Sequence, residues 1–256
     1  LRYTRSRNQL RRINDSAVDP LYEGAFDFTD GVNEGIEYRY DSNGNIIEDK
    51  NKGIDEITWN ALQLPKKITF ANGHRIKYTY DALGVKHQVK YITAGEPVSM
   101  VLGSTVPGST PRTESVETVD YCGETIYRDG KITILTENGY IGEGSEGRFT
   151  YHTYLSDYQG NIRGVLDNAG RLLQVNHYYP SGLSFAEKTG PEIQPRKYNG
   201  KELDRTHGVN IYDYGWRMYD PAILEWWGVD KLAEKYYDVS PYSYCLNNPI
   251  SNVDPD

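Results

Sequence analysis

Apolar and polar side chains alternate along short stretches of this chain, and clusters of small polar residues interrupt them. Residues 76–80 read Ile-Lys-Tyr-Thr-Tyr, with an apolar or aromatic side chain at every second position. A period of two marks a strand with one buried face. Residues 81–84, Asp-Ala-Leu-Gly, then supply turn chemistry. The Asp bonds its own backbone and the Gly takes φ > 0. The stretch 85–91 predicts the returning strand, and residues 36–40, 41–45 and 46–48 repeat the plan. The predicted unit is a β-hairpin with an aromatic ring at its turn.

The unit recurs. Tyr40-Asp41-Ser42-Asn43-Gly44 and Tyr80-Asp81-Ala82-Leu83-Gly84 are clear copies, with Trp59-Asn60-Ala61-Leu62-Gln63 a degenerate one between them. Their aromatic positions lie 19 and 21 residues apart. A period near 20 marks a stacked repeat, because a unit this short buries its apolar face only against neighbours. Tyr40, Trp59 and Tyr80 are therefore expected to stack along one edge of a continuous antiparallel sheet. Further strands are expected at 116–121, 125–128, 132–135, 151–155, 162–166 and 171–179. Asp129-Gly130, residues 156–161 and residues 167–170 form the turns. Residues 96–112 and 142–147 read as loops, rich in Gly, Ser, Thr and Pro or Glu and without period. The second has no Lys after its glycines and carries two Glu, which argues against a phosphate cradle.

Composition sharpens this picture. Tyr occurs 23 times against 5 Phe, which favours a large β assembly with a wet inner surface. At 256 residues the chain suits one large β domain. Arg2, Arg5, Arg7, Arg11 and Arg12 make the opening segment basic, but the net charge of −8 argues for a solvated strand face and against nucleic acid. No stretch reaches the roughly 18 apolar residues of a membrane helix, and no signal peptide is visible. Cys122 and Cys245 have aromatic neighbours and are expected to pack as small apolar residues. The five His residues lack metal-ligand spacing. Asp41-Ser42-Asn43-Gly44-Asn45 lacks the Gly and Glu positions of a calcium loop. No metal and no cofactor are expected.

After Lys197 the texture changes. Tyr212-Asp213-Tyr214-Gly215-Trp216-Arg217-Met218-Tyr219-Asp220-Pro221 is followed by Trp226-Trp227-Gly228-Val229-Asp230, then Asn247-Asn248-Pro249, then Val253-Asp254-Pro255-Asp256. Short helices are expected here. Asp220 and Ser240 would each cap a helix with Pro at its first position, and Asp230 would cap 232–236. Asn247-Asn248-Pro249 would stop the helix begun at Ser240. Ile223, Leu224, Trp226 and Trp227 are expected to pack this segment against the sheet.

These motifs resemble the RHS-repeat-associated core domain that ends Rhs and YD-repeat proteins, with YD repeats before it. The resemblance covers essentially the whole chain, residues 1–195 as repeat shell and 196–256 as core. It implies a mainly β, cage-like fold: a spiralling antiparallel sheet of hairpins, closed by a small plug with short helices. In bacterial Rhs proteins and Tc toxin C components, such a cage holds a variable C-terminal toxin, which the core cuts free by autoproteolysis. The implied partners are the remainder of the shell, a toxin beyond residue 256, and secretion-system or immunity proteins; the implied location is extracellular. The chain is expected to be a fragment of a longer protein, paired at its sheet edges with more shell.

The resemblance also implies a cleavage centre, which falls on Arg217, Asp230 and Asp254, cutting just past Asp254-Pro255. The chemistry would be that of an aspartic peptidase, in which two adjacent carboxylates share a proton and the Arg orients one of them by a bidentate fork. Here Lys231 stands where the family's first motif has Pro. Other roles stay open: Asp230 as a plain cap, Asp254 in an ordinary turn, Arg217 stacked on an aromatic. Two further readings belong to other classes. One is a non-catalytic structural or adhesive shell; the other is a carbohydrate-binding surface of exposed Tyr and Trp.

Overall fold

The computed structural model describes residues 1–16, 28, 30–95, 114–144, 147–185 and 194–254. The loop expected at 96–112, part of that at 142–147, and Pro255 lie outside the described residues. Strands β1 (Arg2–Ser6) and β2 (Gln9–Asn14) form a hairpin. A large antiparallel sheet then runs in strict chain order. Its strands are β3 (Tyr38–Tyr40), β4 (Ile46–Asp49), β5 (Ile54–Trp59), β6 (Pro65–Phe70), β7 (Arg75–Tyr80), β8 (Lys86–Thr93), β9 (Ser115–Cys122), β10 (Thr125–Arg128), β11 (Lys131–Thr136), β12 (Gly139–Glu143), β13 (Phe149–Ser156), β14 (Ile162–Leu166) and β15 (Leu172–Val175). A short hairpin, β16 (His177–Tyr178) and β17 (Ser184–Phe185), leads to a four-stranded antiparallel sheet. That small sheet is β18 (Glu202–Asp204), β19 (Ile211–Asp213), β20 (Met218–Asp220) and β21 (Glu225–Trp226). The architecture is mainly β, as the alternation predicts.

The repeated turn has one geometry. Asp41 Oδ1 accepts from the N–H of Asn43 (2.9 Å) and Asn45 (2.8 Å). Asp81, Asp157 and Asp167 do the same two and four residues ahead, and Asn60 replaces them in the degenerate copy. The fourth position needs φ > 0, which Gly supplies at no steric cost. In the degenerate copy Gln63 adopts φ +61° nonetheless. An Asx bond therefore sets the turn, and Gly eases it. Tyr40, Trp59 and Tyr80 do end alternate strands at one edge, half-buried against the same core. They line one edge of the one sheet as expected, and each ring has its own neighbour: Tyr40 meets Tyr242, Trp59 Nε1 donates to Ile46 O at 2.8 Å, and Tyr80 stacks on Tyr78.

The small sheet has two different faces, set by strand alternation. Leu203, Tyr212, Tyr219 and Trp226 are successive cross-strand partners and form one row. They are buried with Tyr178, Tyr198 and Tyr244. The other face joins Ile211 and Met218 to the core of the large sheet, which includes Leu10, Ile46, Ile68, Val89 and Val119. Between those apolar contacts the same face carries Glu202, Asp204, Asp213, Asp220 and Glu225. Each meets a group from the large sheet or the first hairpin. Arg5 pairs with Glu225, Lys52 with Asp220 at 2.9 Å, and Lys86 with Glu202 and Asp213 at 3.0 and 2.6 Å. Tyr121 donates to Glu202 at 2.7 Å and Tyr91 to Asp204 at 3.1 Å.

The preference for Tyr over Phe has a different cause from the one expected. The inner surface is packed in this region: Tyr38, Tyr78, Tyr91, Tyr198, Tyr212, Tyr219, Tyr242 and Tyr244 are all buried. Many of their hydroxyls donate to backbone, Tyr198 to Pro180 O, Tyr212 to Gly182 O, Tyr219 to Ser181 O and Tyr242 to Gly44 O, each within 2.9 Å. Phe would leave those carbonyls unpaired.

The short helices differ as well. Among the described residues the helical pieces are single 3-10 turns: Tyr198–Gly200, Thr206–Gly208, Ala233–Lys235 and Cys245–Asn247. Asp220-Pro221 opens a turn, with Ala222 N–H on Asp220 Oδ1 at 3.0 Å. Ser240-Pro241 does likewise, with Ser243 N–H on Ser240 O at 3.0 Å. The predicted amphipathic stretches are too short to repay helix nucleation. Ile223 and Trp227 pack on the large sheet as expected, whereas Trp226 faces away into the Tyr cluster and Leu224 is exposed. Cys245 is buried, but Cys122 is exposed at the end of β9.

Candidate active site

Arg217 lies between β19 and β20, Asp230 follows β21, and Asp254 lies near the end of the described chain. The fold brings all three together. Arg217 Nη1 donates to Asp230 Oδ2 at 2.8 Å, and Nη2 donates to Asp254 Oδ2 at 3.2 Å. The guanidinium thus divides its two terminal nitrogens between two carboxylates, where a bidentate grip on one was expected. A planar fork reaches two acceptors in this way; a Lys ammonium has no such fixed geometry.

The Arg is held from behind. Its Cζ sits 4.1 Å from the centre of the Trp226 ring, and Trp226 packs edge-on against Tyr244 with centroids 5.4 Å apart. Stacking on an aromatic and holding carboxylates are therefore not rival roles here; Arg217 does both. Asp230 is likewise doubly used. Its Oδ1 accepts from Leu232 N–H at 2.7 Å, capping the turn before Ala233–Lys235. Its Oδ2 takes the Arg.

That division recurs through the small sheet. Asp204 Oδ1 accepts from Thr206 N–H while Oδ2 takes Tyr91. Asp213 Oδ1 accepts from Gly215 N–H while Oδ2 takes Lys86. Asp220 Oδ1 accepts from Ala222 N–H while Oδ2 takes Lys52 and Trp227 Nε1. In each case one oxygen closes the local turn and the other reaches across the molecule.

A cavity of about 660 Å³ opens beside the triad, lined by Trp216, Arg217, Asp230, Lys231, Leu232, Tyr236, Cys245, Val253 and Asp254. Its wall is charged at one end and apolar elsewhere, which suits a peptide segment. Lys231 lays its ammonium 4.1 Å from the Trp216 ring centre. Burial, and then the Arg217 charge, lower its pKa. The Cys245 thiol is pushed up, by burial first. Trp226, Tyr244 and Cys245 are the members of this site that sequence reasoning missed. The signal for Trp226 was its register opposite Tyr219, visible only once the small sheet is recognised.

The large antiparallel sheet of hairpins, with the small four-stranded sheet packed against it, is consistent with an Rhs/Tc-toxin shell-like fold. Solved structures agree. The chain aligns with the crystal structure of TcdB2-TccC3 with a TM-score of 0.68 at 20% identity, over 85% of this chain and 11% of that one. It aligns with the Photorhabdus luminescens Tc holotoxin pore with a TM-score of 0.62 at 18% identity, over 84% and 10%. Among curated proteins it is 26% identical to Salivary gland surface protein 1 of Aedes aegypti, over 85% of this chain and 6% of that protein. It is 21% identical to the tRNA3(Ser)-specific nuclease WapA of Bacillus spizizenii, over 97% and 9%. The chain thus spans less than a tenth of the length of these curated relatives. No family model matches it. No helix among the described residues is long and apolar enough to cross a membrane.

Proposed function

We propose that this chain is the closing part of an Rhs-type toxin scaffold, with residues 196–256 as its core, and that Arg217, Asp230 and Asp254 form a self-cleaving centre. The observation that supports this is the single guanidinium spanning two carboxylates at the wall of a peptide-sized cavity. The cargo would be a toxin carried after Asp256, released outside the producing cell by one cut just beyond Asp254-Pro255.

In this reading a peptide carbonyl enters between the carboxylates and takes an N–H of Arg217 as its oxygen donor. One carboxylate, as base, removes a proton from a water that attacks the carbonyl carbon. The oxyanion of the tetrahedral intermediate is held by the guanidinium. The C–N bond then breaks, and the proton passes from the carboxylic acid to the leaving amine. Water is consumed, and one carboxyl and one amine terminus result.

The test is the full-length protein that contains this chain. Its intact mass, followed over time, should show one cut downstream of Asp254, and Asp254→Asn should abolish the cut while the fold persists. An uncut wild type would overturn the reading. The alternative is a structural or adhesive shell. It is favoured by the series Asp204, Asp213 and Asp220, in which the same two-way bonding closes a turn and fastens the small sheet to the rest of the molecule.

A further inference from the structure

We infer that Asn199 is a positioning residue for the proposed centre, tying the placement of Arg217 and Asp254 to the docking of the β13–β14 turn; the catalytic half of this rests on the function proposed above. Asn199 belongs to the linker between the two sheets. It sits at φ +49°, in the left-handed region that Asn tolerates better than most residues. Its backbone N–H donates to Asn161 Oδ1 at 2.8 Å, and its Nδ2 donates to Gln159 O at 3.0 Å. Both acceptors belong to the turn built on Asp157, which itself binds Asn161 Nδ2 at 3.0 Å. The donors of Asn199 therefore all face the large sheet.

Its acceptor faces the other way. Asn199 Oδ1 receives Tyr214 Oη at 2.8 Å and Tyr244 Oη at 2.7 Å, and the two hydroxyls lie 2.8 Å from each other. Two hydroxyl protons serve three short contacts, so neither phenol has a spare donor to spend elsewhere. Both carbonyl lone pairs of the amide are used.

From Tyr244 the chain of contacts splits. Tyr244 packs on Trp226, the platform of Arg217. The next residue, Cys245, contacts the Asp254 backbone with its thiol and receives Asn252 Nδ2 on its carbonyl at 3.1 Å. Cys245, Leu246 and Asn247 have φ of +48°, +53° and +58°. Such successive left-handed residues are disfavoured and persist only where their surroundings fix them. The Asn199–Tyr244 bond is one such fixture. Releasing it lets the turn relax and takes Asp254 with it. The centre would then assemble only when the β13–β14 turn is in place, so that cutting follows shell closure.

Two readouts test this. The first uses the full-length protein that contains this chain, N-ethylmaleimide and peptide mapping, with exposed Cys122 as the internal reference. Asn199→Ala removes three side-chain hydrogen bonds and should speed alkylation of Cys245 by at least about tenfold, the effect of losing one of them on a local opening equilibrium. Asn199→Asp keeps the acceptor for both phenols but loses the Nδ2 donor to Gln159 O, so its alkylation rate should fall between wild type and Asn199→Ala. Ile68→Ala, in the core cluster of the large sheet that contains neither Tyr244 nor Cys245, is destabilising and controls for global unfolding. Equal protection in Asn199→Ala and wild type, or equal exposure in Ile68→Ala, would overturn the inference. The second readout is processing of the full-length protein. Asn199→Ala should slow it by about tenfold and move its pH profile, which simple loss of fold would not do; an unmoved rate and profile would also overturn the inference. If wild type is not processed at all, the proposed function fails while the thiol experiment still decides whether Asn199 pins Cys245.

Discussion

Lys86 of β8 and Asp213 of β19 meet at 2.6 Å across the seam between the two sheets. The same ammonium lies 3.0 Å from Glu202, the register partner of Asp213 on β18. One cation thus neutralises a cross-strand pair of like charges, which would otherwise repel. Lys86→Met should leave two nearly buried carboxylates without their cation, and reduce stability by about 3–5 kcal/mol. Denaturant unfolding at neutral pH measures it. A loss below about 1 kcal/mol would show that water reaches both acids and replaces the Lys.

The pH dependence has two opposed parts. Burial lifts Asp204 to about 6 and Asp49 to about 7, against the ordinary 3.8. An acid whose folded pKa is raised binds its proton more tightly in the folded state. Its ionisation therefore penalises folding as pH climbs from about 4 to 7, and stability from these groups rises on mild acidification. Glu202 runs the other way: burial raises its pKa, but Lys86 and the Tyr121 hydroxyl more than offset this and hold it below its ordinary value. Its contribution is present above the ordinary Glu value and disappears as pH falls through the lowered one. Stability should therefore peak in mild acid and drop below the Glu range. Asp204→Asn should add about 1–3 kcal/mol at pH 8 and nothing near pH 4. A flat wild-type curve between pH 4 and 8 would contradict this.

The hairpins were legible because a turn closed by Asp and eased by Gly is written in five consecutive residues. The small sheet was not. Tyr212-Asp213 and Tyr219-Asp220 use the same dipeptide as Tyr40-Asp41, yet their Asp residues reach Lys86 and Lys52 far back in the chain. Local sequence shows the bond that closes the turn and hides the one that crosses the molecule. The three site residues were placed by resemblance alone; their convergence through one guanidinium depends on where Trp226 sits.

Two glycines in the same turn position separate conformational strain from packing. Gly44 has φ +87° and Gly170 has φ +77°. A methyl group on Gly170 meets nothing within 4 Å, whereas one on Gly44 lies 2.6 Å from Val229 Cγ2 and 2.7 Å from Tyr242 Oη. Gly170→Ala should lose about 1–2 kcal/mol from the left-handed backbone alone. Gly44→Ala should lose about 1–3 kcal/mol more, because Val229 and Tyr242 must move. Thermal unfolding of the two variants compares them directly. Equal losses would mean that the C-terminal segment does not press on the first repeat.

The sharpest division between a cutting and a fastening triad lies at Arg217. As a fastener it holds Asp230 and Asp254 to Trp226, and Arg217→Lys should then loosen the C-terminal segment without any rate to lose. As part of a peptidase centre it must serve both carboxylates and a developing oxyanion. A Lys ammonium reaches one acceptor well and lacks the planar fork for the rest. Processing of the full-length protein should then slow by about 10- to 100-fold, as when one oxyanion donor is removed. Asp230→Asn should be more severe. Its Oδ1 still caps Leu232, so the turn survives, but an amide nitrogen now faces the Arg and Asp254 alone is left to take and return a proton. Intact mass over time reads the rate, and denaturant unfolding of the same proteins reads the fastening. Variants that lose stability but process at the wild-type rate would assign these residues to fastening, and the structural shell would then be the better account.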